Sequence, residues 1–540
     1  MSLAAAATPP HKRRAGPLWG EGPTWRKLVK TRMVNARPML RGFLSVGALT
    51  GLSRVSGFLR DLVIGAVIGA GPVADAFFVA LRLPNQFRAI FGEGAFTSAY
   101  LPTYARVLSQ QGAGEAKVFS GRVLSLLLMS QIALLALALL FTPTLVEYLA
   151  PGFKKAGGNF DLAVTLTRIT FPYLLCVTLG TLQSATQNAH GHFAMAAFAP
   201  VLLNLFIIAF LFAAHWFPGA AVAASWGVTA SGVAQLAMLA GYSWRHGLME
   251  TPAWPKFTPE VKTFFVALGP AVIGSAGQQI AILADTILAS LLPPGSVSSI
   301  YYADRLNQLP LGVIGVAAGT VLLPEMSRRL AQGDADGASA AQNRSIGLTF
   351  LLTAPFLALF LAMPLETISG AFLRGAFDLE AAQRAGAVLG AYALGLAPMV
   401  LIRSNAAGFQ ARGDTFTPAA CFFGGLAINI VLKITLSKVY GSAGLALATS
   451  AGAWVNFLAL VFVGLRRGVL RPDAGLLRSL ALGVFGSGLA VALAPAMLGA
   501  VTPFLSGWPL HNELVALAAV TLVFAVYVLA AACGWLIYRL

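Results

Sequence analysis

Residues 123–146 read VLSLLLMSQIALLALALLFTPTLV, a run without a single charge. A bilayer core about 30 Å thick takes about 20 apolar residues of helix. This stretch is therefore long enough to cross a membrane alone, and it offers no polar face to water. Working outward, apolar stretches between turn and charge clusters give fourteen such segments. They are 43–68, 73–104, 120–146, 162–187, 193–215, 219–243, 260–291, 297–325, 345–365, 382–409, 416–437, 442–465, 476–500 and 513–538. The whole composition agrees, since 57% of the 540 residues are hydrophobic and 11% charged, against about 25% charged in a soluble domain. No polar linkers divide the chain. A soluble enzyme and a nucleic-acid-binding protein are excluded, and the expected fold is an all-α polytopic membrane protein with 14 transmembrane helices.

The charges that remain are lopsided, with 37 Lys and Arg against 20 Asp and Glu for a net +17. Residues 1–41 carry nine of the cations, from Lys12 to Arg41, with one acid, Glu21, and form a basic cytoplasmic extension. It is not a cleavable signal, because the apolar stretch after Arg41 is too long and no small-residue cleavage site follows closely. With the N-terminus inside, the cytoplasmic tail and connections hold 24 Lys and Arg and the outer ones six: Lys154, Lys155, Arg374, Arg384, Lys433 and Lys438. That asymmetry obeys the positive-inside rule and puts both termini in the cytoplasm. The last seven cations are all arginines inside segments: Arg54, Arg60, Arg82, Arg88, Arg168, Arg305 and Arg403. Asp61, Asp75, Glu93, Asp285 and Asp304 lie in or at the edge of segments too. Each mid-bilayer charge costs roughly 2.5–3.5 kcal/mol, so these groups must face one another or a wet cavity. Cys176, Cys421 and Cys533 have neither disulfide nor metal-ligand spacing, and His190 and His192 read as a loop pair. No metal or cofactor is expected.

A shift of 222 residues superposes Leu101-Pro102 and Arg106 on Leu323-Pro324 and Arg328, Ala189-x-Gly191 on Ala411-x-Gly413, and Gly219-x-Ala221 on Gly441-x-Ala443. The expected organisation is thus the extension 1–41, a six-helix lobe over 42–245, a pseudo-symmetric six-helix lobe over 246–470, and two extra C-terminal helices over 471–540. An even number of helices per lobe gives a parallel repeat, with a substrate site between the lobes. Arg54 and Asp61 are seven apart and share a helix face, whereas Arg60 projects elsewhere. Asp75 and Arg82 are likewise seven apart, and Pro84 and Pro310 break the helices next to Arg88 and Asp304-Arg305. Guanidinium keeps its charge when desolvated and forks onto phosphate oxygens. Seven arginines and no lysine therefore point to an anionic substrate, a pyrophosphate in particular; the bland alternative is internal ion pairing.

The stretches Ser53-Arg54-Val55-Ser56-Gly57-Phe58-Leu59-Arg60-Asp61, Gly69-Ala70-Gly71, Asp75-Ala76-Phe77-Phe78-Val79-Ala80, Leu83-Pro84-Asn85 and Phe91-Gly92-Glu93-Gly94-Ala95-Phe96 resemble the MurJ/MviN family of bacterial lipid II flippases. Tyr301-Tyr302-Ala303-Asp304-Arg305-Leu306 resembles the same family's eighth helix. The resemblance implies the fold of the multidrug/oligosaccharidyl-lipid/polysaccharide exporter superfamily, with two lobes, a cationic cavity and a tail groove on the last two helices. It implies a monomeric, multi-pass protein of the bacterial cytoplasmic membrane that binds lipid II, the undecaprenyl-diphosphate-linked disaccharide-pentapeptide, among membrane lipids. The substrate-binding residues it implies are Arg54, Arg60, Arg88, Arg305 and Arg403, with Asn85 and Ser53 beside them; the acidic or gating residues are Asp61, Asp75, Glu93 and Asp304.

This chain departs from the family pattern at Gln308, where an acid is often found. Asp285, Asn429 and Lys433 stand where some relatives hold acids, and the expectation is that Lys433 pairs with Asp285 in place of a bound cation. Coupling to membrane potential or to a monovalent cation is left open. The rival readings are a polysaccharide-precursor or drug exporter of the same fold, a non-transporting scaffold for cell-wall assembly, and a membrane polymerase of lipid-linked sugars. The last would need a large outer loop, and the loops here are short.

Overall fold

The computed structural model describes residues 47–91, 95–155 and 159–539. The basic extension 1–41 and Glu93 lie outside them. The first half consists of α1 (47–68), α2 (Pro72–Phe91), α3 (Ala95–Leu140), α4 (Thr142–Leu149), α5 (Gly152–Lys155), α6 (Asn159–Thr170), α7 (Pro172–Ala189), α8 (Ala194–Phe212) and α9 (Ala220–Arg245). The second half holds α10 (Pro259–Ser290), α11 (Ser296–Pro310), α12 (Val316–Ala331), α13 (Ala335–Ala362), α14 (Pro364–Phe372), α15 (Leu379–Gln410) and α16 (Phe416–Arg466). The chain ends in α17 (Ala474–Leu505) and α18 (His511–Arg539). Among the described residues, ten helices are long and apolar enough to cross a membrane.

Two of these are too long to be single crossings. α3 has 46 residues and α16 has 51, and a straight helix of that length would span about 70 Å. Each is broken once, at Gly112 (φ 87°) and Gly441 (φ 57°), where the backbone enters a region that glycine alone occupies readily. The polar stretch 105–119, expected as a connection, is helical apart from Gly112. Its Ala, Gln, Glu, Lys and Leu residues favour helix, and nothing except the glycine stops it.

The two halves are built alike. Left-handed glycines close corresponding turns at Gly112, Gly191 and Gly247 in the first half and at Gly333, Gly413 and Gly468 in the second, at offsets of 221, 222 and 221. Each half also carries the same staple from a hydroxyl to a neighbouring helix: Thr229 donates to the Ile169 carbonyl, and Ser450 to the Ala391 carbonyl at 2.8 Å. α17 and α18 pack outside this pair, against α13 and α14, with Ser487 donating to Ala354 O at 3.0 Å and Tyr527 to Leu351 O at 2.9 Å.

The halves meet along α3 and α10, where Phe264 packs on Phe96 and Tyr100, and at one end of the cavity. There the α1–α2 turn is held by Tyr302 Oη on Gly69 O (2.9 Å), by Ala376 N on Ala66 O (2.8 Å) and by Arg384 on Ala70 O (3.3 Å). Gly69 (φ 77°) is obligatory at this contact, because a Cβ would lie 2.4 Å from the Ala376 carbonyl. Beside it Phe78 stacks on Tyr301 with ring centroids 3.8 Å apart, and Phe372 and Phe377 enclose Tyr302. Between this apolar clasp and the α3–α10 contact the halves part around a cavity.

Candidate functional site

The cavity holds about 1120 Å³. Its lining includes Arg54, Arg60, Arg82, Arg88, Arg305 and Arg403 against Asp61, Asp285 and Asp304, so arginines outnumber carboxylates two to one among the described residues.

The centre of the site is Asp61, which is 1% exposed. Its Oδ1 accepts from Arg60 Nε (3.0 Å), Arg60 Nη2 (2.7 Å) and Tyr301 Oη (2.8 Å), and its Oδ2 faces Arg305 Nε at 3.1 Å. Tyr301 Oη in turn accepts from Arg60 Nη2 (3.1 Å) and Arg305 Nη2 (3.0 Å). The Arg305 guanidinium also lies over the Tyr301 ring, 4.6 Å from its centroid. Arg60 Nη1 reaches Asn204 Oδ1 at 3.1 Å, and Asn204 Nδ2 donates back to α1 at Ser53 O (3.2 Å) and Ser56 Oγ (2.9 Å). One carboxylate of α1 thus holds two guanidiniums, one from each half. Removing it would leave the buried Arg60 without a counter-charge, a costly form of unpaired group.

Several expectations from spacing need correction. Arg60 does not project away from Asp61, because its long side chain curls back onto the adjacent carboxylate. Arg54 does share the cavity face, yet its head lies across the cavity at Gly312, where an added Cβ would sit 2.5 Å from Nη1. Asp75 holds none of the cavity arginines. It is 2% exposed, and its two oxygens accept the Gly295 and Ser298 amides at 2.6 and 2.7 Å, capping α11 from the opposite lobe. A helix N-terminus presents unpaired amides and a positive dipole end, and a buried carboxylate is their natural partner. Lys433, counted above with the outer cations, is fully buried inside α16, and its Nζ lies 2.6 Å from Asp285 Oδ1. Asn429 lies one turn earlier on the same helix and is 9% exposed.

The other named residues sit around the cavity wall. Arg88 Nε donates to Asn85 Oδ1 at 3.0 Å, and Arg403 runs along Gly315. Asp304 accepts from the Gln308 amide, so the amide supports a carboxylate where an acid would have repelled it. Arg168 is exposed on α6 and does not line the cavity. Among the described residues no cluster of His, Cys, Asp and Glu could hold a metal ion. Sequence reading missed Tyr301, Asn204 and Arg384. Tyr301 lies one turn before Arg305, and Asn204 is the one polar residue in α8, so both left a signal. For Arg384 only the pairing with Glu380, four residues earlier on α15, could be read from spacing; its bond to Ala70 O across the lobe boundary left no signal.

Two pseudo-equivalent helical lobes in a membrane, closed at one end and enclosing a cation-lined cavity, define a transporter rather than an enzyme. Comparison with known proteins narrows the class. The family described as "Lipid II flippase MurJ" matches residues 64–519. The probable lipid II flippase MurJ of Rhizobium meliloti (strain 1021) is 38% identical over 501 residues, covering 90% of this chain and 93% of that protein. The lipid II flippase MurJ of Burkholderia cenocepacia is 37% identical over 82% of this chain and 86% of its own. A solved lipid II flippase MurJ in an inward closed conformation shares the fold, with a TM-score of 0.75 at 23% identity over 92% of this chain and 98% of that one. An inward-facing multidrug resistance MATE family transporter of the MOP superfamily gives a TM-score of 0.64 at 14% identity, over 78% and 97%. The chain belongs to the lipid II flippase MurJ family.

Proposed function

We propose that this chain carries lipid II from the cytoplasmic to the outer leaflet by alternating access, with the diphosphate received by Arg54, Arg60, Arg88, Arg305 and Arg403. The observation that carries this reading is the sharing of Asp61 by Arg60 and Arg305 across the lobe boundary. Both guanidiniums are held ready by a single negative charge. A diphosphate offers more charge and bidentate geometry to each, so it would draw Arg305 off Asp61 and loosen a bond between the lobes. The contacts of Gly69 and Asp75 would then part at the closed end while the cavity mouth closes behind the head group.

The fourteen segments read from the sequence are fourteen crossings in this proposal, with both termini in the cytoplasm of a bacterial inner-membrane protein acting as a monomer. The cavity then opens inward in the present state, because it opens toward the end at which α1 begins. The lipid tail would stay in the bilayer beside α17 and α18. Membrane potential can drive the cycle, at about 2.3 kcal/mol per unit charge per 100 mV. Lys433 supplies Asp285 with its counter-charge, so no monovalent cation is needed at that place.

The test is complementation in a bacterium depleted of its own flippase. The parent chain and Arg168→Ala should restore growth, whereas Arg54→Ala, Arg88→Ala and Arg305→Ala should fail although present in the membrane at parental levels. Rescue by Arg305→Ala would remove the arginine cavity from the mechanism and favour a scaffold role.

A further inference from the structure

The cavity has two chemically distinct walls. Among the described residues, every charged residue in its lining comes from α1, α2, α10, α11 and α15. α7, α8 and α9 together contribute fourteen lining residues and no charge. On α7 the lining positions are 173, 176, 177, 180, 181, 184 and 188, one continuous helical face, and toward the open end that face carries Thr181, Ser184 and Asn188. Gln235 of α9 stands beside them.

The hydrogen-bonding state of α7 differs between its faces. Away from the cavity, Thr186 bonds Tyr100 Oη at 2.9 Å, and Gln187 donates to Leu239 O and Ser243 Oγ at 2.9 and 3.0 Å. These groups are consumed in holding the lobe together. On the cavity face the Ser184 hydroxyl makes no hydrogen bond among the described residues. Thr181 spends only its proton, on Val177 O at 2.9 Å, and keeps its acceptor capacity. A transporter that needed only to grip a diphosphate would have no use for this wall, and the cavity volume is far beyond what a diphosphate fills.

We propose that the α7–α9 wall is a subsite for the uncharged, hydroxyl- and amide-bearing saccharide that follows the diphosphate, with Thr181 and Ser184 as its specificity-determining contacts. The inference rests on the diphosphate reading above. Neutral hydroxyls and amides bind sugar hydroxyl and acetamido groups by exchange of hydrogen bonds with water, and a site built that way discriminates against a ligand lacking those groups. Arginines grip the part common to all diphosphate-linked lipids, and the neutral wall reads what distinguishes them.

The experiment measures binding of two probes, lipid II and undecaprenyl diphosphate, to the purified full chain in lipid nanodiscs. The parent should bind lipid II more tightly. The pair Thr181→Val with Ser184→Ala, nearly isosteric, should weaken lipid II about tenfold, as expected for two lost hydrogen bonds, and leave undecaprenyl diphosphate unchanged. Thr178→Val, on the same helix but off the cavity face, should change neither. Arg305→Ala should weaken both probes alike. Loss of both probes in the Thr181/Ser184 variant, or of neither, would overturn the subsite. Equal binding of both probes by Arg305→Ala and the parent would instead overturn the diphosphate reading, so the two failures are distinguishable.

Discussion

The two lobes share a scaffold and differ in where they send their carboxylates. Turns, staples and helix lengths repeat at an offset close to 222. Two buried acids of the first lobe reach its partner: Asp61, which also holds Arg60, reaches Arg305, and Asp75 accepts the Gly295 and Ser298 amides. The cavity acids of the second lobe stay within it, Asp285 on Lys433 and Asp304 on Gln308. A repeat alone would give two identical rigid bodies with no instruction about how to meet. The departure from symmetry supplies that instruction. Acids of the first lobe set the closed end, and acids of the second stabilise the wall against which the first one moves. Stability and gating should therefore respond to different substitutions.

The largest effect should come from the second lobe. Lys433→Met leaves the Asp285 carboxylate unpaired beside a fully buried position. Breaking a buried pair from one side costs about 3–5 kcal/mol, whereas replacing both partners by neutral groups is close to neutral. The thermal midpoint of Lys433→Met should fall well below the parent's, and Asp285→Leu/Lys433→Met should recover most of the loss. Neither variant should change which side of the cavity is accessible. A single variant as stable as the parent would end the view of this pair as structural.

The complementary substitution lies in the first lobe. Asp75→Asn weakens the cap on α11 by about 1 kcal/mol, the usual worth of a helix cap, and so shifts the balance between closed and open ends about fivefold. In a chain with its three cysteines changed to serine and Ile300→Cys added on the cavity wall, labelling by an impermeant thiol reagent from the outer face should rise by that factor. The thermal midpoint should stay near the parent's. If Asp75→Asn lowered stability as Lys433→Met does and left labelling unchanged, the distinction between the lobes would fail.

What the sequence could disclose follows the same division. Local features were legible: apolar run lengths and the concentration of charge on α1, α2 and α11, although α2 runs unbroken through Pro84, where a break was expected. The Asp285–Lys433 pairing was legible only through the departure from the family pattern, whereas charge counting alone places Lys433 among the outer cations. The turn of Arg60 back onto Asp61 was not, since helical phase fixes the direction of Cβ but not of a four-bond side chain. The role of Asp75 was not legible either. Its partners are backbone amides 220 and 223 residues away, and nothing in a side-chain pattern marks a backbone amide of another lobe. Arg384 and Tyr302 fall in the same class.

The smallest predicted effect concerns the matched connections that follow α9 and α16. In the second lobe Asn343 donates to Arg471 O at 2.7 Å and pins the segment with a neutral bond. At the corresponding place in the first lobe Gly121 O accepts from Ala253 N at 3.3 Å, and Ser120 donates to Glu250 Oε1 at 3.3 Å. Glu250 is 2% exposed and its Oε2 has no hydrogen-bond partner. Burial pushes this carboxyl above its ordinary range, and the hydrogen bonds it receives only partly oppose that. The folded state thus holds the Glu250 proton more tightly than the unfolded chain does. Its contribution to stability is whole below the unfolded pKa and is lost as pH rises through the folded one. Glu250→Gln keeps the shape and removes the charge. Its midpoint should exceed the parent's at pH 7.5 by roughly 1 °C, the equivalent of about 1 kcal/mol for a chain of this length, and the gap should close on acidification to pH 4. A Glu250→Gln chain less stable than the parent at pH 7.5 would mean that the charged carboxylate, and not a neutral bond as in the second lobe, fastens this segment; the two connections would then differ in kind.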